Sequence, residues 1–227
     1  MKTVISVLGM CLLCLMVFAQ DAKEDLKAMQ AAYKNTPHFQ ASITIKGLQE
    51  NGQWLELGTG KWLMQGQSYY STGMDKEIIA NAEGSLVVDH LQREMVYFPK
   101  RQKVKPMAQF FDINALITQY DSVVYLGIQA KRKGYRFYQN GSIESYDLWL
   151  DAKDLWLLEV NYRYAPEMRQ KGAYYQQVVI QYSIDMEHVP AAKHFALNRF
   201  VTTTDRGLQP LAEYTDYSLT TAANLDD

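Results

Sequence analysis

The hydrophobic pattern of the chain begins with a helical period and then changes to the period of strands. Residues 22–33 predict an amphipathic helix, because Leu26, Met29 and Tyr33 recur at helical spacing. From Phe39 to Ile45, apolar and polar residues alternate instead. Strict alternation is typical of a strand that is buried on one face only.

Period-two segments account for most of the remaining chain. After the first strand, Asn51-Gly52 predicts a two-residue type I′ hairpin turn, in which both central residues need a positive φ. Further short alternating segments follow up to Phe98, and a second set runs from Asp121 to Leu219, where the last two predicted strands are Ala196–Thr203 and Leu211–Leu219. We count about eleven or twelve strands, and short strands at this spacing predict an antiparallel meander.

A second helix is predicted between the two sets of strands, at residues 106–120, where Pro106 suits the first helical position. The residues that make it apolar around much of its circumference are Met107, Phe110, Phe111, Ile113, Leu116, Ile117 and Tyr120. A helix of this kind is normally buried. Since no linker or low-complexity tract divides the two sets of strands, we predict one mainly β (α+β) domain at residues 20–227, with a single, strongly curved antiparallel sheet.

The first nineteen residues have the layout of a secretory signal peptide. A positively charged start at Lys2 precedes an apolar stretch, and Val17-Phe18-Ala19 supplies compact residues for a cleavage site. The apolar stretch is shorter than the roughly 20 residues that a membrane-spanning helix needs. We therefore expect cleavage after Ala19, with an uncleaved membrane anchor as the alternative.

Both cysteines of the chain, Cys11 and Cys14, lie inside this segment. The mature chain would then form no disulfide and bind no metal through sulfur. The residues before each cysteine fit bacterial lipidation poorly. An exported and cysteine-free chain indicates the periplasm of a Gram-negative bacterium, an inference that also depends on the resemblance described below.

Composition favours strands and gives no indication of nucleic-acid binding. The chain contains 16 tyrosines, and aromatic residues suit half-buried pleated surfaces. Its formal net charge is −2, and it has no long basic run. We therefore expect no nucleic-acid partner.

In their order along the chain, these segments resemble the LolA-like family of periplasmic lipoprotein carriers and outer-membrane lipoprotein-sorting proteins. The similar segments include Gly58–Met64, the Ile78–Asp89 hairpin, and Asp147–Asp151 with the strand Leu155–Val160. The resemblance covers nearly the whole mature chain. It implies an unclosed half-barrel of about eleven antiparallel strands, with two or three helices on its concave side.

One segment departs from the family pattern. The resemblance implies an arginine on the strand that follows the glycine-initiated one, where it locks a helical lid, but Gln65–Tyr70 contains none. The family also includes lipoprotein-binding sensors. Carrier and sensor roles therefore both stay open.

Few residues point to catalysis or to metal binding. The four histidines, His38, His90, His188 and His194, are far apart and lack the i, i+4 spacing of helical zinc sites. The sequence has no Gly-x-Ser-x-Gly motif and no phosphate-binding glycine loop. Asp151 and Asp154 belong to a predicted turn, which explains them without catalysis. We predict a protein that is not an enzyme, with no catalytic residues, metal or cofactor.

Apolar side chains are the positive functional signal. An acyl chain suits an apolar cavity, because each buried methylene contributes about 0.8 kcal/mol. The residues expected to line such a cavity are Trp62, Met64, Phe110, Ile113, Ile117, Trp156, Leu158 and Tyr162. The alternative is that they form only the core.

The expected partner is the acyl chain of a lipoprotein, or of another lipid, in transit toward the outer membrane. The alternative function is an envelope sensor or interaction domain that uses the same half-barrel to bind an envelope protein.

We predict that the exported protein begins at Gln20, because the charged start, apolar stretch and compact residues place the cleavage after Ala19. N-terminal sequencing of protein from the periplasmic fraction measures this directly. Retention of Met1, or a diacylglyceryl group on a cysteine, would contradict the prediction.

Overall fold

The computed structural model describes residues 22–99, 120–139, 141–166, 168, 175–205 and 207–222, and most of them lie in strands. Helix α1 spans residues 22–35, where the helical period predicts it. The strands are β1 (His38–Leu48), β2 (Trp54–Gln65), β3 (Ser68–Gly73), β4 (Lys76–Asn81), β5 (Gly84–Asp89), β6 (Glu94–Pro99), β7 (Ser122–Gln129), β8 (Arg132–Tyr138), β9 (Ile143–Asp151), β10 (Leu157–Tyr164), β11 (Gln177–Asp185), β12 (Val201–Thr204), β13 (Gly207–Pro210) and β14 (Ser218–Thr221). Short 3-10 helices occupy Ala192–Phe195, Leu197–Arg199 and Ala212–Tyr214.

Twelve of these strands join in one unclosed sheet, in the order β14-β6-β5-β4-β3-β2-β1-β11-β10-β9-β8-β7, and β12 and β13 form a separate pair. Successive strands from β2 to β6 and from β7 to β11 pair antiparallel, whereas β14 lies parallel to β6. The predicted fold class, mainly β with a large unclosed antiparallel sheet, is confirmed. The predicted helix at residues 106–120 lies outside the described residues. Among the described residues, no helix is both long and apolar enough to cross a membrane.

The chain divides into two compact units. The first unit takes its residues from Met1–Asn35, Ile45–Leu57 and Met107–Tyr182. The second unit takes them from Thr36–Thr44, Gly58–Pro106 and Ser183–Asp227. Both units contain parts of β1 and β2. A single domain at residues 20–227 stays a prediction.

The turn between β1 and β2 differs from the predicted type I′ turn. Gly52 has a φ of 82°, but Asn51 is not among the residues with positive φ. The Gly52 N–H donates to the Gln49 carbonyl at 3.0 Å, and the Gln49 N–H donates to the Gln53 carbonyl at 2.9 Å. The Asn51 Oδ1 also accepts from the Gln53 N–H at 2.9 Å. This local side-chain hydrogen bond favours a longer loop in which only the glycine adopts the left-handed conformation.

The C-terminal region is less regular than its sequence predicts. The strands predicted at Ala196–Thr203 and Leu211–Leu219 are replaced by 3-10 turns and the short strands β12 and β14. The buried residues Phe195, Leu197 and Phe200 explain the first difference, because their spacing does not match a strand. They pack into the core of the second unit, whose other buried members are Leu63, Tyr70, Ile79, Leu86, Val88, Met95 and Val201.

Strand β9 is buried on both of its faces, since the consecutive residues from Ser145 to Leu148 are all buried. On one face, the Asp147 carboxylate accepts from Arg136 Nε at 2.6 Å and Nη2 at 2.9 Å. It also accepts from Arg163 Nη2 at 2.9 Å. The carboxylate raises the pKa of Arg136, mainly through these hydrogen bonds. One buried carboxylate thus ties β8, β9 and β10 together through two guanidinium groups.

We predict that Asp147→Asn lowers the free energy of unfolding by about 2 kcal/mol, because it weakens charged hydrogen bonds at a buried position. The cost stays moderate because both arginines are partly exposed and can turn toward water. Urea denaturation followed by circular dichroism measures the change. The matched control is Asp154→Asn at an exposed turn position, with an expected change of less than about 0.5 kcal/mol. Equal stabilities of the two variants would contradict the prediction.

Candidate functional site

The first unit contains an apolar surface that is made of two rows of side chains across β8, β9, β10 and β11. Residues directly opposite one another in antiparallel strands lie on the same face. The pairing aligns the first row as Tyr135, Leu148, Val160 and Ile180. It aligns the second row as Phe137, Tyr146, Tyr162 and Val178.

Helix α1 packs on the same face of these strands. Its buried residues Leu26, Met29 and Tyr33 form its apolar stripe. Asp25 contacts both the Tyr135 hydroxyl and the Lys133 ammonium group, and both of these residues lie on the face of the two rows. The helix therefore covers part of the apolar surface.

Tyr33 connects α1 to the start of β10. Its hydroxyl accepts a hydrogen bond from the Leu157 N–H at 3.3 Å. Its ring meets the Trp156 ring edge to face, with centroids 4.7 Å apart. Burial raises the pKa of Tyr33, so its phenol stays neutral at physiological pH.

The β8 and β9 part of the surface is a packed aromatic layer. Phe137 and Tyr146 stack with ring centroids 4.8 Å apart and an interplanar angle of 9°. Tyr120 meets both rings edge to face, at 5.3 Å and 5.0 Å. Burial is also the main cause that raises the pKa of Tyr146. Offset and edge-to-face pairs add about 1 kcal/mol each beyond the area they bury, so this part of the layer is tightly held.

Burial decreases along both rows toward β11. Tyr135 and Phe137 on β8 are fully buried. Tyr162 on β10, and Val178 and Ile180 on β11, are half-buried. Tyr182 follows Val178 and Ile180 on the same face of β11 and is also half-buried. We name these four residues, Tyr162, Val178, Ile180 and Tyr182, the apolar strip. It is the part of the surface that a further apolar group can cover.

Three of the sequence-predicted cavity residues lie in the first unit. Tyr162 belongs to the apolar strip, and Trp156 packs on Tyr33. Leu158 lies at a register shift between Leu157 and Glu159, so the strand alternation is interrupted there. Because of this bulge, Leu157 rather than Leu158 is fully buried.

The other predicted cavity residues are divided between the second unit and the undescribed segment. Trp62 and Met64 lie on β2 in the second unit. Trp62 is half-buried, and Met64 is buried. Phe110, Ile113 and Ile117 lie outside the described residues. Whether these side chains line one cavity with the apolar strip stays a prediction.

Val178, Ile180 and Tyr182 belong to the apolar strip, but the sequence analysis did not select them. Their alternation in β11 predicts a strand face, but it does not say which strand β11 joins. The signal appears only once the register places β11 beside β10.

The second unit has a polar cluster around Glu77 of β4. The Glu77 carboxylate accepts from the Tyr70 hydroxyl at 2.7 Å and from Arg199 Nη2 at 3.3 Å. His90 lies between Glu77 and the Tyr217 hydroxyl, at 3.1 Å and 2.9 Å. These contacts hold the C-terminal segment that carries Arg199 and Tyr217 against β4 and β5. Within the described ranges, no group of three or more His, Cys, Asp or Glu side chains is arranged to hold a metal ion.

Comparison with known proteins shows similarity of structure at low sequence identity. No protein-family model matches the chain, and no curated protein matches its sequence. An uncharacterized conserved protein from Thermus thermophilus matches with a TM-score of 0.50 and 9% identity, over 89% of this chain and 99% of that chain.

The matched structures also include proteins of the kind that the sequence resembles. A putative outer membrane lipoprotein-sorting protein domain from Vibrio parahaemolyticus has a TM-score of 0.36 and 12% identity, over 80% of this chain and 98% of that chain. A LolA superfamily protein from Nitrosomonas europaea has a TM-score of 0.35 and 10% identity, over 80% and 99%. At these identities the similarity concerns the fold alone.

Proposed function

We propose that this protein binds the acyl chains of lipoproteins, or of other lipids, and carries them through the periplasm toward the outer membrane without catalysing a reaction. The observation that supports the proposal best is the apolar strip on β10 and β11. The signal-peptide layout of the first nineteen residues supports export.

The apolar strip has the chemistry that an acyl chain needs. Val178 and Ile180 offer aliphatic groups, and burial raises the pKa of the Tyr162 and Tyr182 phenols, which keeps them uncharged. A methylene placed on such a surface gains about 0.8 kcal/mol when it leaves water. A chain of several methylenes along the strip would therefore bind with useful affinity even without a polar contact.

The neighbouring structure makes the strip a defined surface. On the β9 side, the stacked rings of Phe137 and Tyr146 fix the aromatic layer. At the start of β10, the contact between Tyr33 and Trp156 fixes the helix. A preformed surface loses little conformational entropy when a ligand binds, which favours affinity.

The full proposed lipid site also includes the predicted residues outside the strip. These are Trp62, Met64, Phe110, Ile113, Ile117, Trp156 and Leu158. Their side chains are apolar, and the helix predicted at residues 106–120 is more apolar than packing on one side requires.

We predict that Val178→Asp weakens binding of a fluorescent fatty acid or a diacylated lipopeptide at least about tenfold, because it places an unpaired charge where the apolar tail would lie. The matched control is Ser183→Asp, which adds the same charge at an exposed position on the other face of β11. Fluorescence titration measures binding, and circular dichroism confirms that each variant is folded.

A milder variant, Val178→Ser, keeps the experiment informative if the aspartate prevents folding. Equal affinity of the parent protein, Val178→Ser and Ser183→Asp would remove the strip from the lipid site. Absence of binding by the parent protein would refute the carrier proposal and favour an envelope sensor or interaction domain that binds a protein.

A further inference from the structure

A polar cleft lies on the face of the first unit opposite the apolar strip. It has a volume of about 530 Å³, which is within the range of small-molecule sites. Its lining residues are Lys46, Trp54, Leu55, Glu56, Glu159, Asn161, Gln177, Val179 and Gln181. They come from β2, β1, β11 and β10, four strands that are adjacent in the sheet.

The strand register shows that this cleft and the apolar strip lie on different faces of the sheet. Asn161 lies opposite Val179, and Glu159 lies opposite Gln181. Tyr162 of the apolar strip directly follows Asn161, so their side chains point to opposite faces of the sheet. The cleft is therefore independent of the site proposed for acyl chains.

Asn161 contributes a hydrogen-bond acceptor that no other described residue uses. The residue is only 8% exposed. Its buried Oδ1 atom has no hydrogen-bond partner among the described residues. A buried acceptor without a partner lowers stability, so an asparagine at this position needs another explanation. Its place in the lining of the cleft gives one, because a bound ligand can donate to it.

A series of contacts holds Glu159 in place beside Asn161. Its Oε2 atom lies 3.2 Å from Arg132 Nη2 and accepts from Gln181 Nε2 at 3.2 Å. The Arg132 guanidinium in turn lies 5.0 Å from the centre of the Trp149 ring. That ring occupies the space a side chain at Gly134 would need, since a Cβ there would come within 2.5 Å of it. Glu159 is thus positioned, and Arg132 balances its charge.

The remaining charges of the cleft are also mixed. Lys46 brings a positive charge, and Glu56 brings a negative one. The amides of Asn161, Gln177 and Gln181 each offer both a donor and an acceptor. A lining of this kind favours a neutral ligand whose groups both donate and accept hydrogen bonds.

We propose that this cleft binds a neutral saccharide of one or two sugar units. Sugar hydroxyls donate and accept, so they match the amides and the Asn161 acceptor. Trp54, which is 45% exposed, offers an apolar ring against which the C–H face of a sugar can pack. The cleft volume accommodates a ligand of this size.

Isothermal titration calorimetry with N,N′-diacetylchitobiose, cellobiose and maltose tests the proposal on the exported protein. We expect saturable binding of at least one of these sugars by the parent protein. Trp54→Ala should weaken this binding at least about tenfold. The control Val124→Ala truncates an apolar residue that is also 45% exposed but does not line the cleft, and it should leave the affinity unchanged.

Asn161→Leu distinguishes a binding role from a structural one. Leucine has a similar size and removes the unpaired acceptor, so the variant should lose sugar binding without a lower melting temperature.

Two results would overturn the proposal. One is the absence of saturable binding of all three sugars by the parent protein at concentrations up to about 10 mM. The other is an Asn161→Leu variant that binds sugar like the parent but melts at a lower temperature, which would make Asn161 a structural residue.

Discussion

Strand β9 must be covered on both of its faces, and the organisation of the first unit depends on that constraint. Four consecutive residues, from Ser145 to Leu148, are buried. Their side chains alternate between the faces, so an aromatic layer has to cover one face and a polar network the other. Phe137 stacks on Tyr146 on the first face, and Arg136 and Arg163 neutralise Asp147 on the second. A strand with only one buried face would require only one of these two arrangements.

The two faces consequently present different chemistry to ligands. On the aromatic face, burial keeps the phenols neutral, and the surface becomes more accessible toward β11. On the polar face, the charges nearest β9 are paired, and hydrogen-bonding groups remain available toward β11 and β1. Both proposed sites thus lie on the β11 side of β9, near the middle of the strand order, and on opposite faces of the sheet. Because residues 145–148 of β9 are buried on both faces, the more exposed strands toward β11 are the ones that can contact ligands.

Much of the fold could be predicted from the period at which apolar residues recur along the chain. Helix α1 and most strands follow from single-face burial, because a helical or period-two pattern directly reports which side of an element is covered. The pattern fails where a local feature interrupts it. The bulge near Leu158 makes Leu157, rather than Leu158, the fully buried residue. The Asn51 side chain alters the hairpin turn. Around Phe200, the buried residues are spaced for packing into the core of the second unit and do not alternate as in a strand.

The sites were harder to predict than the fold, because each depends on strands that are distant in sequence. Tyr162 could be selected as an aromatic residue in a clear strand. Val178 can be placed beside Tyr162 only from the register between β10 and β11, which the sequence pattern does not specify. Asn161 looks like any polar residue on a solvated face until the structure shows that it is buried and that its Oδ1 atom lacks a partner among the described residues.

The parallel pairing of β14 with β6 has a consequence for how the chain folds. These two strands are separated by more than half of the sequence, so their contact closes a long loop and belongs to the slower class of folding events. Until β14 has been synthesised, it cannot pair with β6, and an unpaired strand edge can template pairing with another chain. In the folded protein that edge is covered by β14, a strand of only four residues. Pairing with β14 thus covers the edge of β6 and leaves a very short strand at the end of the sheet, which reduces edge-to-edge aggregation. A truncated or stalled chain without β14 would lack this protection.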